Sequence, residues 1–410
     1  MIPRRDGWRY GLLGLPLAFA ALPLYVHVPA RYAADFGVPL TELGALLLAA
    51  RLADAVLDPW IGRWIDGLYQ RSVRHVLAVA AGAAIALAAG FALLLFPPVR
   101  GTGALLAWAA MSLAVTYFAF SVLSVAHQSW GAMLADSDDL RARIVAWREG
   151  LGLAGVLLAA VLPAAAGWPA TTAVLALALA CGCVALAASR WPLPLPHTSA
   201  AAWHRPLMQP AFRKLLAVFL ANGIASAVPA TLLLFFVRDR LQAPQAEGTF
   251  LGIYFACGAA SLPLWLRVVA LAGLARAWLA GMLLAIASFA AAMALGPGDS
   301  VAFGMVCAMC GIALGSDLAV PAALLAGVIS RAREPGAVYF GWWNFASKLN
   351  LALAAGLALP LLQLAGYSPG DASPRSMAAL TFAYCAVPCV LKAAAALLLY
   401  VQLVRTKEVP

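Results

Sequence analysis

Stretches of about twenty apolar residues alternate along this chain with short clusters of arginine, aspartate, glycine and proline. A helix needs roughly 20 apolar residues to cross the hydrocarbon core of a bilayer. Twelve stretches reach that length, at 10–30, 43–63, 76–96, 103–133, 144–163, 170–188, 214–237, 249–266, 276–295, 301–328, 337–363 and 377–403. The first follows Arg4, Arg5 and Arg9, the layout of a signal peptide. It lacks a small-residue cleavage site and carries Pro16 and Pro23, so it reads as a retained first helix. The longest polar interruption, Ser189 to Pro210, holds five prolines, which disfavour helix and suit a linker. The pattern predicts an all-α polytopic membrane protein of twelve transmembrane helices in two six-helix bundles. The expected divisions are an N-terminal bundle at 1–188, a cytoplasmic linker at 189–212 and a C-terminal bundle at 213–410.

Composition narrows the function. Of the 410 residues 64% are hydrophobic and 11% charged, against about 25% charged in a soluble domain. A soluble enzyme, a nucleic-acid-binding protein and a disordered chain are thereby excluded. The net charge of +10 reflects orientation rather than a nucleic-acid partner. With the N-terminus inside, nineteen basic residues fall in inner segments and five in outer ones. That asymmetry predicts both termini in the cytoplasm and a multi-pass protein of the cell (inner) membrane. Seven cysteines are scattered mainly through apolar runs. Cys307 and Cys310 form a CxxC inside a predicted span, without the second pair or histidines that a zinc site needs.

Charge inside a span costs roughly 2.5–3.5 kcal/mol per residue on insertion scales, so each such residue needs a reason. The second predicted helix carries Arg51, Asp54 and Asp58 on one face, with the two carboxylates one turn apart. Two carboxylates that close cannot both ionise cheaply in a low dielectric. One holds a proton, or a cation sits between them, or basic groups offset them; a static ion-pair cluster with Arg51 is the structural alternative. Lys348 lies too deep in the eleventh helix to reach water easily, so a buried carboxylate partner is expected for it. Lys392 either reaches the interface or makes a local polar contact. Asp317, deep in the tenth helix, is equally a functional carboxylate or half of a local ion pair.

Three ordered motifs extend this picture. Asp54-Ala55-Val56-Leu57-Asp58-Pro59-Trp60-Ile61-Gly62, with Asp66 four residues on, resembles the DAxxDPxxGxxxD signature of the glycoside–pentoside–hexuronide:cation symporters, melibiose-permease-like members of the major facilitator superfamily. Gly131, Ala132, Leu134, Asp136, Arg141, Arg143 and Arg148 are similar to a second stretch of that family, and the run from Tyr339 to Leu349 is similar to a third. The resemblance implies that Asp54, Asp58, Ser121 and Lys348 bind the coupling cation, H+ or Na+, and that Arg148 helps to position the solute. Leu57 stands where sodium-using relatives supply an amide, which favours a proton. Pro16 and Ser124 replace sugar-binding acids and Gln128 replaces an aromatic platform, so the motifs support the coupling machinery better than the cargo.

For the solute site, Arg148, Gln128, Ser124, Tyr25, Trp130, Trp343 and Asn344 are the expected side chains. A gate is expected from Arg51, Asp66, Asp136, Arg141 and Arg143. These features predict a secondary active transporter, a cation-coupled symporter of a small organic solute, of the sugar or glycoside class by resemblance. A carrier of a lysolipid or another amphiphile is the alternative, and an integral-membrane lipid-modifying enzyme a more distant one. No HExxH, GxSxG or P-loop occurs. No enzyme activity, cofactor or metal is expected beyond a sodium at Asp54 and Asp58. The expected partners are the solute and the lipid bilayer, with no nucleic acid and a monomeric chain.

Overall fold

The computed structural model describes residues 4–192, 202–367, 371 and 373–405, except for the side chains of residues 4, 25, 26, 30, 34, 40 and 355–361. It is about 87% helical, with no strand among the described residues. The first predicted span is built from α1 (Arg4–Gly11), α2 (Gly14–Leu22), a wide π turn at Pro23–His27 and α3 (Val28–Ala34). Pro29 has no N–H to continue the helical ladder, and the turn before it widens so that the Val28 N–H reaches the Pro23 carbonyl. The chain continues through α4 (Leu40–Arg71), α5 (Val73–Leu95) and α6 (Thr102–Met133). Ser72 divides α4 from α5, its hydroxyl accepting the Arg74 N–H at 3.1 Å. In α7 (Asp138–Ala187), Gly167 takes φ 77°, which breaks the helix between the fifth and sixth predicted spans.

After the four-residue α8 (Arg205–Met208) come α9 (Pro210–Phe235), α10 (Glu247–Ala272), α11 (Leu274–Ala292), α12 (Ser300–Ala332) and α13 (Ala337–Leu364). The last span runs through α14 (Pro374–Thr381), a π turn at Phe382–Ala386 that precedes Pro388, and α15 (Val387–Leu399). Eight of the described helical segments are long and apolar enough to cross a membrane. Gly167 divides one of them in two. The first span, the charged α4 and α13 complete the twelve predicted crossings. Ile85, Val184, Val301 and Leu271 stand 70–89% exposed, as expected of side chains whose solvent is lipid.

The chain forms two compact units: Met1–Pro206 with Ala326–Phe345, and Leu207–Leu325 with Ala346–Pro410. The hairpin that ends α12 and begins α13 therefore packs with the N-terminal helices. In the first unit, α2 lies directly on α7, where a Cβ at Gly155 would strike the Leu15 carbonyl. Small residues of this kind let membrane helices approach to backbone contact. Tyr10 and His127 brace α1 to α6 reciprocally. The Tyr10 hydroxyl donates to the His127 carbonyl at 3.2 Å, and His127 Nε2 donates to the Tyr10 carbonyl at 2.7 Å. Trp203 is stacked between Trp60 and Trp342, with ring centroids 5.5 and 5.8 Å apart. The Trp342 indole N–H donates to the Trp203 carbonyl at 2.8 Å, and Arg205 pairs with Glu334 at 2.8 Å.

The second unit is centred on aromatic rings. Phe236 stacks on Tyr384 at 4.2 Å, and Phe303 meets Phe250 edge-on at 4.9 Å. Such pairs add about 0.5–1.5 kcal/mol beyond the area they bury.

Gly155→Val should force α2 away from α7. Overpacking of this kind costs about 1–3 kcal/mol, and the expected result is a lower thermal unfolding midpoint of the purified protein in detergent.

Candidate functional site

The strongest concentration of intramembrane chemistry lies on α4. Asp54 is 8% exposed and Asp58 fully buried. The Ser121 hydroxyl on α6 donates to Asp54 Oδ1 at 2.9 Å. Ser124 and Gln128 follow on the same face of α6, three and seven residues on. Ser124 is buried, and the buried Gln128 Oε1 has no hydrogen-bond partner among the described residues. The Tyr69 hydroxyl donates to the Ala126 carbonyl at 2.8 Å, which fixes α4 against α6 further along. The helices meet in the same order, 54 with 121 and 69 with 126, so they run parallel. Asp54, Asp58, Ser121, Ser124 and Gln128 thus gather on facing stripes of two adjoining helices.

Below this stripe α4 carries the start of α13. A side chain at Gly62 would collide with the Ala337 carbonyl, and one at Gly341 with the backbone of Asp58 and Pro59. Asp66 supplies the polar half of the contact. Its two oxygens accept the Ala337 and Val338 N–H groups at 2.7 and 2.9 Å. These are the first N–H groups of a helix, which have no partner inside it and favour a nearby negative charge.

The predicted gate residues therefore separate. Asp66 binds the N-terminus of α13 rather than an arginine. Arg141 pairs with Asp138 at 2.7 Å and donates to the Asp136 carbonyl at 3.3 Å, while Arg143 pairs with Asp139 at 2.9 Å. Arg51 is half-buried on α4. Among the predicted solute residues, Arg148 directs Nε and Nη2 to Glu149 Oε1 at 2.9 and 2.6 Å. Trp130 is fully buried and donates to the Arg190 carbonyl at 3.2 Å. Trp343 is buried and Asn344 half-buried, both in the part of α13 that belongs to the first unit, whereas the half-buried Lys348 belongs to the second. The Tyr25 side chain lies outside the described residues.

The second unit holds a charged cluster of its own. Lys392 donates to Asp317 Oδ2 at 2.9 Å and to the Ser226 hydroxyl at 2.8 Å. Asp317 Oδ1 also accepts from the Trp278 indole at 2.8 Å and from Asn222 Nδ2 at 3.1 Å. Of the two sequence alternatives for Lys392, the local contact is the observed one, because the buried ammonium meets a carboxylate. Sequence reasoning named Asp317 and Lys392 singly. It missed Trp278 and Ser226, and also Glu149 beside Arg148, for which adjacency was the available signal.

Residues 9–403 match the family described as MFS/sugar transport protein. The chain belongs to that family. A comparison with curated proteins found no sequence match. Among solved structures, this transporter is similar to a bacterial homologue of the iron transporter ferroportin, in an outward-facing state, at 17% identity and a TM-score of 0.73 over 97% of this chain and 98% of the other. It is similar to the E. coli fucose:proton symporter FucP at 12% identity and a TM-score of 0.67, over 94% and 97%. The human organic anion transporter MFSD10 aligns at 19% identity and a TM-score of 0.62, over 97% and 99%. At these identities the likeness establishes the fold, the twelve-helix major facilitator architecture. The protein is a multi-pass membrane transporter and not an enzyme.

Asp66→Ala should leave two buried N–H groups of this transporter without their acceptor. A loss of about 2–3 kcal/mol is expected, seen as a lower unfolding midpoint, with a smaller loss for Asp66→Asn, which keeps one carbonyl oxygen.

Proposed function

We propose that this transporter is a cation-coupled symporter of a small organic solute of the sugar or glycoside class, with Asp54 and Asp58 as the coupling carboxylates. The observation that carries this reading is the buried Asp54–Ser121 hydrogen bond, with fully buried Asp58 one helical turn away. A carboxylate in that setting is costly as an isolated anion, and a bound cation or proton offsets the cost. The site's charge then depends on occupancy, and a ligand that favours one state shifts the population toward it. Solute that binds the loaded state better is accumulated against its gradient, by alternating access around the site.

A proton is the coupling ion we favour. Sodium takes a shell of several oxygens, and the side chain beside Asp58 is Leu57, which offers none. The sugar class draws its support from the family description and from the fold shared with a fucose:proton symporter. Ser124, Gln128, Trp343 and Asn344 are the side chains we assign to the solute, with Arg148, held by Glu149, as a further anchor. Lys348 is proposed to tune the coupling carboxylates through its charge.

In proteoliposomes, Asp58→Asn should reduce pH-gradient-driven accumulation to the equilibrium level while the protein remains folded and inserted. Normal uphill uptake by that variant would falsify the coupling role. Lys348→Ala should alter the pH dependence of uptake, and an unchanged profile removes Lys348 from the site. A thermal-shift screen of the wild-type protein against sugars, lysolipids and organic acids, with and without sodium, should give its largest stabilisation with a sugar and no sodium requirement. A lysolipid hit would instead support the amphiphile reading.

A further inference from the structure

The Asp317–Lys392 cluster is not an isolated ion pair. It forms one wall of a cavity of about 290 Å³ inside the second unit, bounded by α9 to α12 and the last span. That volume is at the lower end of small-molecule sites, roughly 300–1,000 Å³. Most of the wall is apolar, with the rings of Phe250, Tyr254, Phe289 and Tyr384 prominent. An apolar cavity of such size favours a small hydrophobic molecule over a cluster of waters.

The polar end of the cavity specifies what that molecule carries. Asp317 already accepts from Lys392, Asn222 and Trp278, and its charge is matched by Lys392. An incoming anion would have to compete with Asp317 for Lys392, and an incoming cation with Lys392 for Asp317. Two hydrogen-bonding positions beside the carboxylate decide the ligand's polar group. Asn222 is 4% exposed, and its Oδ1 has no hydrogen-bond partner among the described residues. The amide orientation is fixed by chemistry, because Nδ2 must face the carboxylate. An ammonium has three donors, of which Lys392 directs one to Ser226 and one to Asp317. A vacant acceptor beside a cation with donor capacity to spare matches a group that donates and accepts at once, and a hydroxyl does both.

We propose that this cavity is a binding site for an uncharged molecule with a hydroxyl on an apolar body, the hydroxyl donating to Asn222 Oδ1 and accepting from Lys392. The site does not rest on the symport reading, since none of its residues is a proposed coupling group.

Three probes of matched shape test it on the full-length wild-type protein in detergent, by equilibrium dialysis against protein-free micelles. 2-Naphthol donates and accepts, 2-methoxynaphthalene only accepts, and 2-naphthoate is an anion. The expected result is saturable binding of 2-naphthol at one site per chain, about tenfold tighter than either comparator, the loss anticipated when a buried acceptor stays unpaired. Bound 2-naphthol should also slow alkylation by N-ethylmaleimide of Cys310, which lines the cavity, and leave exposed Cys181 unaffected. Asn222→Leu should remove the preference for naphthol over its ether. Equal binding of the ether, tighter binding of naphthoate, absence of saturable binding, or binding without protection of Cys310 would each overturn the proposal.

Discussion

A carboxylate placed within a bilayer has to be given donors, a proton or a cation, and this requirement organises the polar interior of the transporter. Three of its deep aspartates are answered differently. Asp66 receives two backbone N–H groups, Asp54 receives the Ser121 hydroxyl, and Asp317 receives an ammonium, an amide and an indole. The answers differ in kind. Backbone donors at a helix start are fixed by the fold, and a lysine flanked by three hydrogen-bonding side chains is nearly so. The arrangement on α4 therefore sets a carboxylate that accepts from backbone at Asp66 and one that accepts from a side-chain hydroxyl at Asp54 on a single helix.

Those two settings give α4 two roles. Its Asp66 end is a mount for α13, where glycines at positions 62 and 341 remove the side chains that would keep the two backbones apart. Its Asp54 end faces the polar stripe of α6. Because both roles share one helix, a change in the charge at the upper carboxylates would act on the element that holds the start of α13. The motif that resembles the glycoside–pentoside–hexuronide symporter signature spans this whole stretch, and the structure supplies a reason for its far end: Gly62 is close approach and Asp66 is a helix cap.

The fold was largely legible in the sequence, because the length of an apolar run is dictated by bilayer thickness and twelve such runs were countable. The break at Gly167 was also legible as a boundary between two spans. Local charge could be read too, since a carboxylate in an apolar run is conspicuous. Partners were harder. Asp66 has the composition of a gate residue, yet its acceptors face backbone N–H groups far along the chain, and no side chain marks such a contact. The packing of the hairpin 326–345 with the N-terminal helices cuts across the linear order of the chain. Lys392 and Asp317 were each visible, but the indole and hydroxyl that complete their cluster are chemically ordinary residues in an apolar sequence.

The stacked indoles of Trp60, Trp203 and Trp342 have an optical consequence. Stacked chromophores with centroids 5.5 and 5.8 Å apart and planes tilted by 24° and 22° couple their transitions, and the coupling falls steeply with distance. The chain thus carries a built-in spectroscopic ruler where the linker segment around Trp203 meets α4 and α13. Comparing the near-ultraviolet circular dichroism of the wild type with that of a Trp203→Leu variant isolates the contribution of this stack from the chain's other tryptophans.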